Sequence, residues 1–121
     1  MLFNAAVQAE GPYLLVTASG DAELPELLAL SDFPAAVARR RACKRALFDL
    51  LALRPRLSPA DHVELGAHIA KTLRDMERVA VVLSEEADRL AADLAAQHGL
   101  DVRTFSTLRE ANDWLVQERP R

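Results

Sequence analysis

Ser58, Asp61 and His62 stand together in "LSPADH", with Arg54 and Arg56 just before them and Asp49 nine residues ahead of the serine. A serine, a carboxylate and an imidazole are the parts of a nucleophilic triad, and a serine beside arginines is a place where phosphate could be held. The spacing speaks against a triad: neighbours in a first helical turn point in different directions, and no glycine-framed nucleophile elbow surrounds the serine. It favours a helix start instead. Ser58 would accept a bond from the amide of Asp61. Pro59 sits where a missing N–H costs nothing, and it biases the residue before it toward the extended backbone that a cap requires. A phosphate on Ser58 would meet free amides and the positive end of the helix dipole, with Arg54 and Arg56 close in sequence. Ser58 is therefore a cap and the candidate phosphoacceptor, with Asp49, Arg54, Arg56, Asp61 and His62 as candidate partner-binding residues around it.

Other chemistries have less to work with. His62, His68 and His98 do not fall at the i, i+4 spacing that puts two zinc ligands on one helix face. Asp49 alone is not a metal site; closing a strand, it would accept bonds from loop amides. Cys43 cannot form an internal disulfide, because it is the only cysteine, and it reads as a small core residue. The run "RRRACKR", residues 39 to 45, holds four arginines and one lysine. Cations there complement a helix C-terminus, and their excess over that need leaves room for an anionic partner surface or lipid headgroups. No catalytic set converges, so no enzyme activity, metal or cofactor is expected.

The elements that must position these residues follow from apolar periodicity. "FNAAVQAEGPYLLVTASG" reads as two strands around a turn at Glu10-Gly11-Pro12, a hairpin. Residues 24 to 42 are helical but interrupted at Ser31-Asp32-Phe33-Pro34, which predicts two helical pieces. "RALFDLL" is of strand length, and the helix opened by Ser58 puts Leu65, Gly66, Ile69, Ala70 and Leu73 on one face, to cover a sheet. "RVAVVLS" suits a central parallel strand buried on both sides. Ala87, Leu90, Ala91, Leu94 and Ala95 mark another helix, closed by His98 and Gly99. "LDVRTF" is a further strand, and Thr107 with Glu110 forms a capping box for a last helix that packs through Trp114. Only "QERPR" reads as a loose end.

Strands alternating with helices imply right-handed crossovers: an α/β fold with a single mixed, mostly parallel sheet, an N-terminal β-hairpin and helices covering it. In such sheets sites gather at the carboxyl ends of parallel strands, and Ser58 lies just past one. The length, 121 residues with half of them hydrophobic and 5% aromatic, suits one domain with an aliphatic core, ordered over about 2–117. A net charge of −3 supplies no global field to gather nucleic acid. "MLFNAAVQAEGPYLL" lacks the flank and apolar run of a signal peptide, and no window approaches a membrane span; a cytoplasmic protein is expected. A homodimer through an edge strand or a helix face is compatible with the pattern.

Four stretches carry a resemblance: "YLLVTASG" after a hairpin turn, "ALFDLLALRPRLSPADHVELG", "RVAVVLS", and "GLDVRTFSTLREANDWL" as the closing strand and helix. Over nearly the whole chain they resemble the STAS family, and especially its bacterial STAS/SEC14-like, or SpoIIAA-like, branch. The resemblance implies a regulatory protein-interaction module of the anti-sigma-factor-antagonist type, with a phosphorylated serine at a helix start nine residues after an acidic or amide residue. Asp49 and Ser58 have that separation. Leu57 before the serine and Pro59-Ala60 after it differ from the acidic-serine-serine-glycine context usual in the family. The SEC14-like side of the branch implies a lipid or small apolar ligand as the alternative.

Overall fold

The computed structural model describes residues 1–9 and 11–118; Glu10 of the expected turn and residues 119–121 of "QERPR" lie outside the described residues. In chain order the elements are β1 Asn4–Gln8, β2 Leu14–Ala22, α1 Leu24–Arg41, β3 Arg45–Pro55, α2 Pro59–Thr72, β4 Arg78–Val82, α3 Leu90–Gln97, β5 Val102–Phe105 and α4 Leu108–Leu115. They build one five-stranded sheet in the order β1-β2-β3-β4-β5. The hairpin β1–β2 is antiparallel, with Val7 opposite Val16, and the remaining neighbours are parallel. This is the mixed, mostly parallel α/β sheet that the pattern of elements predicts.

Because the strands are laid down in sequence order, right-handed crossovers moving one way across the sheet put α1, α2 and α3 on a single face. The last helix goes to the other, packing on β3, β4 and β5. Strand alternation in β4 serves both layers. Val79 joins the core under α1–α3, while Ala80 and Val82 join Ala111, Trp114 and Leu115 under α4. Val79 and Val82 are each at most 1% exposed, which is why this strand reads as a continuous apolar run.

Two expectations are corrected. The break at Ser31–Pro34 does not occur: α1 is one helix through Pro34. Ser31 caps nothing and instead donates its hydroxyl to the Leu28 carbonyl at 2.8 Å, a back-bond that helices tolerate with a slight bend. Pro34 is buried together with Ala35 and Ala38, so packing on the sheet compensates for the backbone bond that proline removes. The second correction concerns Asp49. The strand that it was expected to close runs on to Pro55, through a register irregularity opposite Thr17–Ser19.

Other boundaries fall as the sequence implies. Gly99 takes a left-handed conformation (φ 101°) just past α3, whose C-cap is His98. Trp114 is buried, its ring centroid 5.7 Å from that of Phe105 and under the guanidinium groups of Arg103 (4.9 Å) and Arg78 (5.5 Å). Arg78 and Arg45 do what no spacing announces. Arg78 donates to the carbonyls of Trp114 (2.7 Å) and Gln117 (2.9 Å), and Arg45 to those of Leu115 and Gln117, satisfying the open carbonyls at the end of α4. Arg45 also binds Glu77, so the "RRRACKR" run divides: Arg39, Arg40, Arg41 and Lys44 are exposed and Arg45 turns inward.

Candidate functional site

The chain from Leu50 to His62 shapes the carboxyl rim of the sheet. β4 ends at Val82, paired with Asp49, whereas β3 continues to Pro55 alongside β2 alone. After Pro55 the chain turns, the Arg56 amide bonding to the Ala22 carbonyl at 2.8 Å, and Ser58 starts α2. Ser58 has the extended backbone of a cap (φ −75°, ψ 165°), and its Oγ accepts the Asp61 amide at 3.1 Å. Asp61 Oδ2 returns the bond by accepting the Ser58 amide at 3.0 Å, completing the expected box. The hydroxyl bearer is exposed. Thr107 makes only half of the analogous box: it accepts the Glu110 amide at 3.2 Å but spends its hydroxyl on Glu110 Oε1 at 2.9 Å.

His62 extends the turn inward. Its Nδ1 lies 3.0 Å from the Ser58 carbonyl oxygen and its Nε2 lies 3.4 Å from Asp88 Oδ2, so the ring spans from the cap to the turn after β4. Ser58, Asp61 and His62 thus form one unit. Arg56 points away from it to Asp21 (3.9 Å), and Arg54 is exposed on β3. The N-terminal ammonium, bonded to Asp21 at 2.8 Å, holds that carboxyl below the usual range, with Arg56 and Arg54 adding to the effect. Asp49 stands apart. Its register partners are Thr17 and Val82, so it shares the α4 side of the sheet, and it accepts the Leu51 amide at 3.3 Å. Asp49 and Ser58 keep their nine-residue separation in sequence but occupy different faces.

Beneath the Ser58 turn is a feature without a local signal: a cavity of about 430 Å³ between the sheet and α1–α3. Leu27 and Leu30 of α1, Phe48 of β3, Leu65 and Ile69 of α2 and Val81 of β4 contribute to its wall. It exists because the sheet outruns its cover. Leu50, Leu53 and Pro55 continue the floor past the end of β4, while α3 starts late, after the irregular stretch 83–89, and is short. The polar groups on its wall are Ser31, His62, Ser84 and Asp88, the last two exposed where the cavity meets solvent. A volume in this range with apolar walls and a few polar groups is that of small-ligand sites, and close-packed interiors leave few voids even as large as a water.

Among the described residues no group of three His, Cys, Asp or Glu could hold a metal ion, and no helix is long and apolar enough to cross a membrane. His68 does not join His62; its Nε2 contacts Asp32 of α1 at 2.6 Å and ties the two helices. The exposed cations at 39–41 and 44 lie at the amino end of the parallel strands, opposite the Ser58 rim. Cys43, half-buried, packs against the larger core.

No family model and no curated protein matches the sequence. Solved structures do match the fold. An uncharacterized protein of the DUF3478 family with a SpoIIAA-like fold, from Shewanella loihica PV-4, superposes with a TM-score of 0.63 at 24% identity over 95% of this chain and 96% of that one. The chain has the SpoIIAA-like fold. An anti-sigma factor antagonist from Mycobacterium paratuberculosis superposes with a TM-score of 0.68 at 18% identity over 96% of each chain. The hairpin, the parallel layer and the helix started by Ser58 therefore belong to a shared architecture spanning nearly the full length.

Proposed function

We propose that this chain is a regulatory binding module of the anti-sigma-factor-antagonist type, with a protein partner docking across the loop at 54–58 and the first turn of α2. The observation that carries this reading is the exposed Ser58 cap at the carboxyl rim of the parallel strands. It is supported by the likeness to a structure described as an anti-sigma factor antagonist. The turn is also built to respond to charge. Asp61 Oδ2 sits 3.0 Å from the Ser58 amide, so a phosphate of about −2 charge on Ser58 would be forced against that carboxylate. The reciprocal half of the box would open, and a partner seated on the turn would meet both new charge and a new shape.

The test uses two substitutions that keep the cap. Ser58→Asn adds no charge and Ser58→Asp adds one. Proteins co-purifying with the chain from its own cells should be retained by Ser58→Asn and reduced several-fold by Ser58→Asp. Equal recovery with both variants refutes an electrostatic switch. The intact mass of the chain from the same cells reports a phosphate directly.

A second reading rests on the cavity: the chain binds a small apolar ligand between the sheet and α1–α3. Its support is the volume and the lining, apolar over most of the wall with a few polar groups where it meets solvent. Organic extracts of the purified protein should contain apolar material in stoichiometric amount, and clean extracts from several hosts would count against it.

A further inference from the structure

We infer that the cavity takes a medium-chain amphiphile whose head group is neutral or cationic and donates a hydrogen bond to Asp88; this rests on the second reading above. The wall is aliphatic and aromatic except for Ser31, His62, Ser84 and Asp88. Ser31 is buried with its hydroxyl committed to the Leu28 carbonyl, so it offers little to a head group. The remaining three gather on the side where Ser84 and Asp88 are exposed, which is where a polar head would sit while its chain lies against Leu30, Phe48 and Leu65.

Charge chooses the head. Asp88 is the one carboxylate on the wall, and no lysine or arginine lines it. Arg89 donates to Thr104 at 2.8 Å, and Arg56 reaches Asp21 at 3.9 Å. Glu85 and Glu86 flank the same turn and Asp61 adjoins His62, so an anionic head would enter a region of like charge. A hydroxyl or ammonium group instead offers a donor to Asp88 Oδ2, which faces His62 Nε2 at 3.4 Å while Oδ1 accepts the Leu90 amide at 2.9 Å.

Ligand entry also has a path through this contact. His62 Nε2 and Asp88 bridge α2 to the irregular stretch 83–89, and separating them widens the opening without unpairing a strand.

The experiment is competition against Nile red, a neutral fluorescent dye, with three ligands of one chain length: decanol, decylamine and decanoate. Decanol and decylamine should displace the dye, with decanoate about tenfold weaker than the amine, as an exposed carboxylate acting with opposite sign on two heads provides. Asp88→Asn should bring amine and carboxylate within about twofold of each other and leave decanol unchanged. Leu53→Trp, which fills the cavity from the strand edge, should weaken all three. Decanoate binding as tightly as the amine, or a ratio unmoved by Asp88→Asn, overturns the inference and leaves the cavity reading standing. Absence of displacement by every ligand, or indifference of all three to Leu53→Trp, overturns the cavity reading and the inference with it.

Discussion

Replacing Gly66 by alanine puts two well-measured effects in opposition, and the structure decides the sign. In an ordinary helix interior the change stabilises by about 1 kcal/mol, because glycine gives up more backbone freedom on folding. Here α2 crosses α3 at the glycine itself. A Cβ at 66 would lie 2.7 Å from Leu94 Cβ and 2.9 Å from the Ala91 carbonyl oxygen. Carbon atoms at rest stand ~3.5–4.0 Å apart, so α3 must retreat by roughly an ångström, and the obstacle includes backbone that cannot rotate away. Overpacking of this kind costs ~1–3 kcal/mol, which exceeds the propensity gain at most of its range. We expect Gly66→Ala to lose about 1 kcal/mol, or about 3–5 °C in Tm for a chain of this size. Urea unfolding followed by the fluorescence of Trp114, the single tryptophan, measures it. Ala67→Gly, on the exposed side of the same helix, supplies the propensity term alone and should lose about 1 kcal/mol. Glycine preferred at 66 and alanine at 67 is the signature of close approach. A Gly66→Ala variant more stable than the parent would mean that α2 and α3 do not meet as described, and the cavity that they border would lose its wall.

Two further outcomes bear on the rim and on the α4 side. Ser58→Ala removes the acceptor of the Asp61 amide and should cost about 1 kcal/mol, with faster hydrogen exchange confined to the first turn of α2; unchanged exchange there would deny the cap. Arg78→Met keeps the buried stem but takes the guanidinium donor from the Trp114 carbonyl, leaves the Gln117 carbonyl to Arg45 alone and removes a cation from the indole face, so about 2–3 kcal/mol should be lost in the same urea assay. A loss below about 0.5 kcal/mol would show that those carbonyls find other donors.

Local chemistry made much of the frame legible. Ser58 with Pro59 and Asp61 encodes a helix start within four residues, and the cap geometry follows because each preference acts over a bond or two. "RVAVV" encodes a buried strand because both of its faces are apolar. Misreadings arose where a local signal competed with packing. Ser31 and Pro34 have the types of a helix boundary, but the sheet beneath α1 buries them within a continuous helix. Asp49 has the type of a strand end, yet pairing with β2 carries the strand six residues further, to Pro55.

The candidate site divides along the same line. Order along the chain was enough to place Ser58, Asp61 and His62 on one turn at the carboxyl rim, since helix geometry and parallel crossovers follow from residue spacing. Which side of the sheet Asp49 faces, which carboxylate His62 meets, and the space of about 430 Å³ walled by α1, α2, α3, β3, β4 and β5 depend on contacts between residues tens of positions apart. No periodicity within one segment encodes a gap between six, because the gap is set by how far the sheet outruns the helices laid over it.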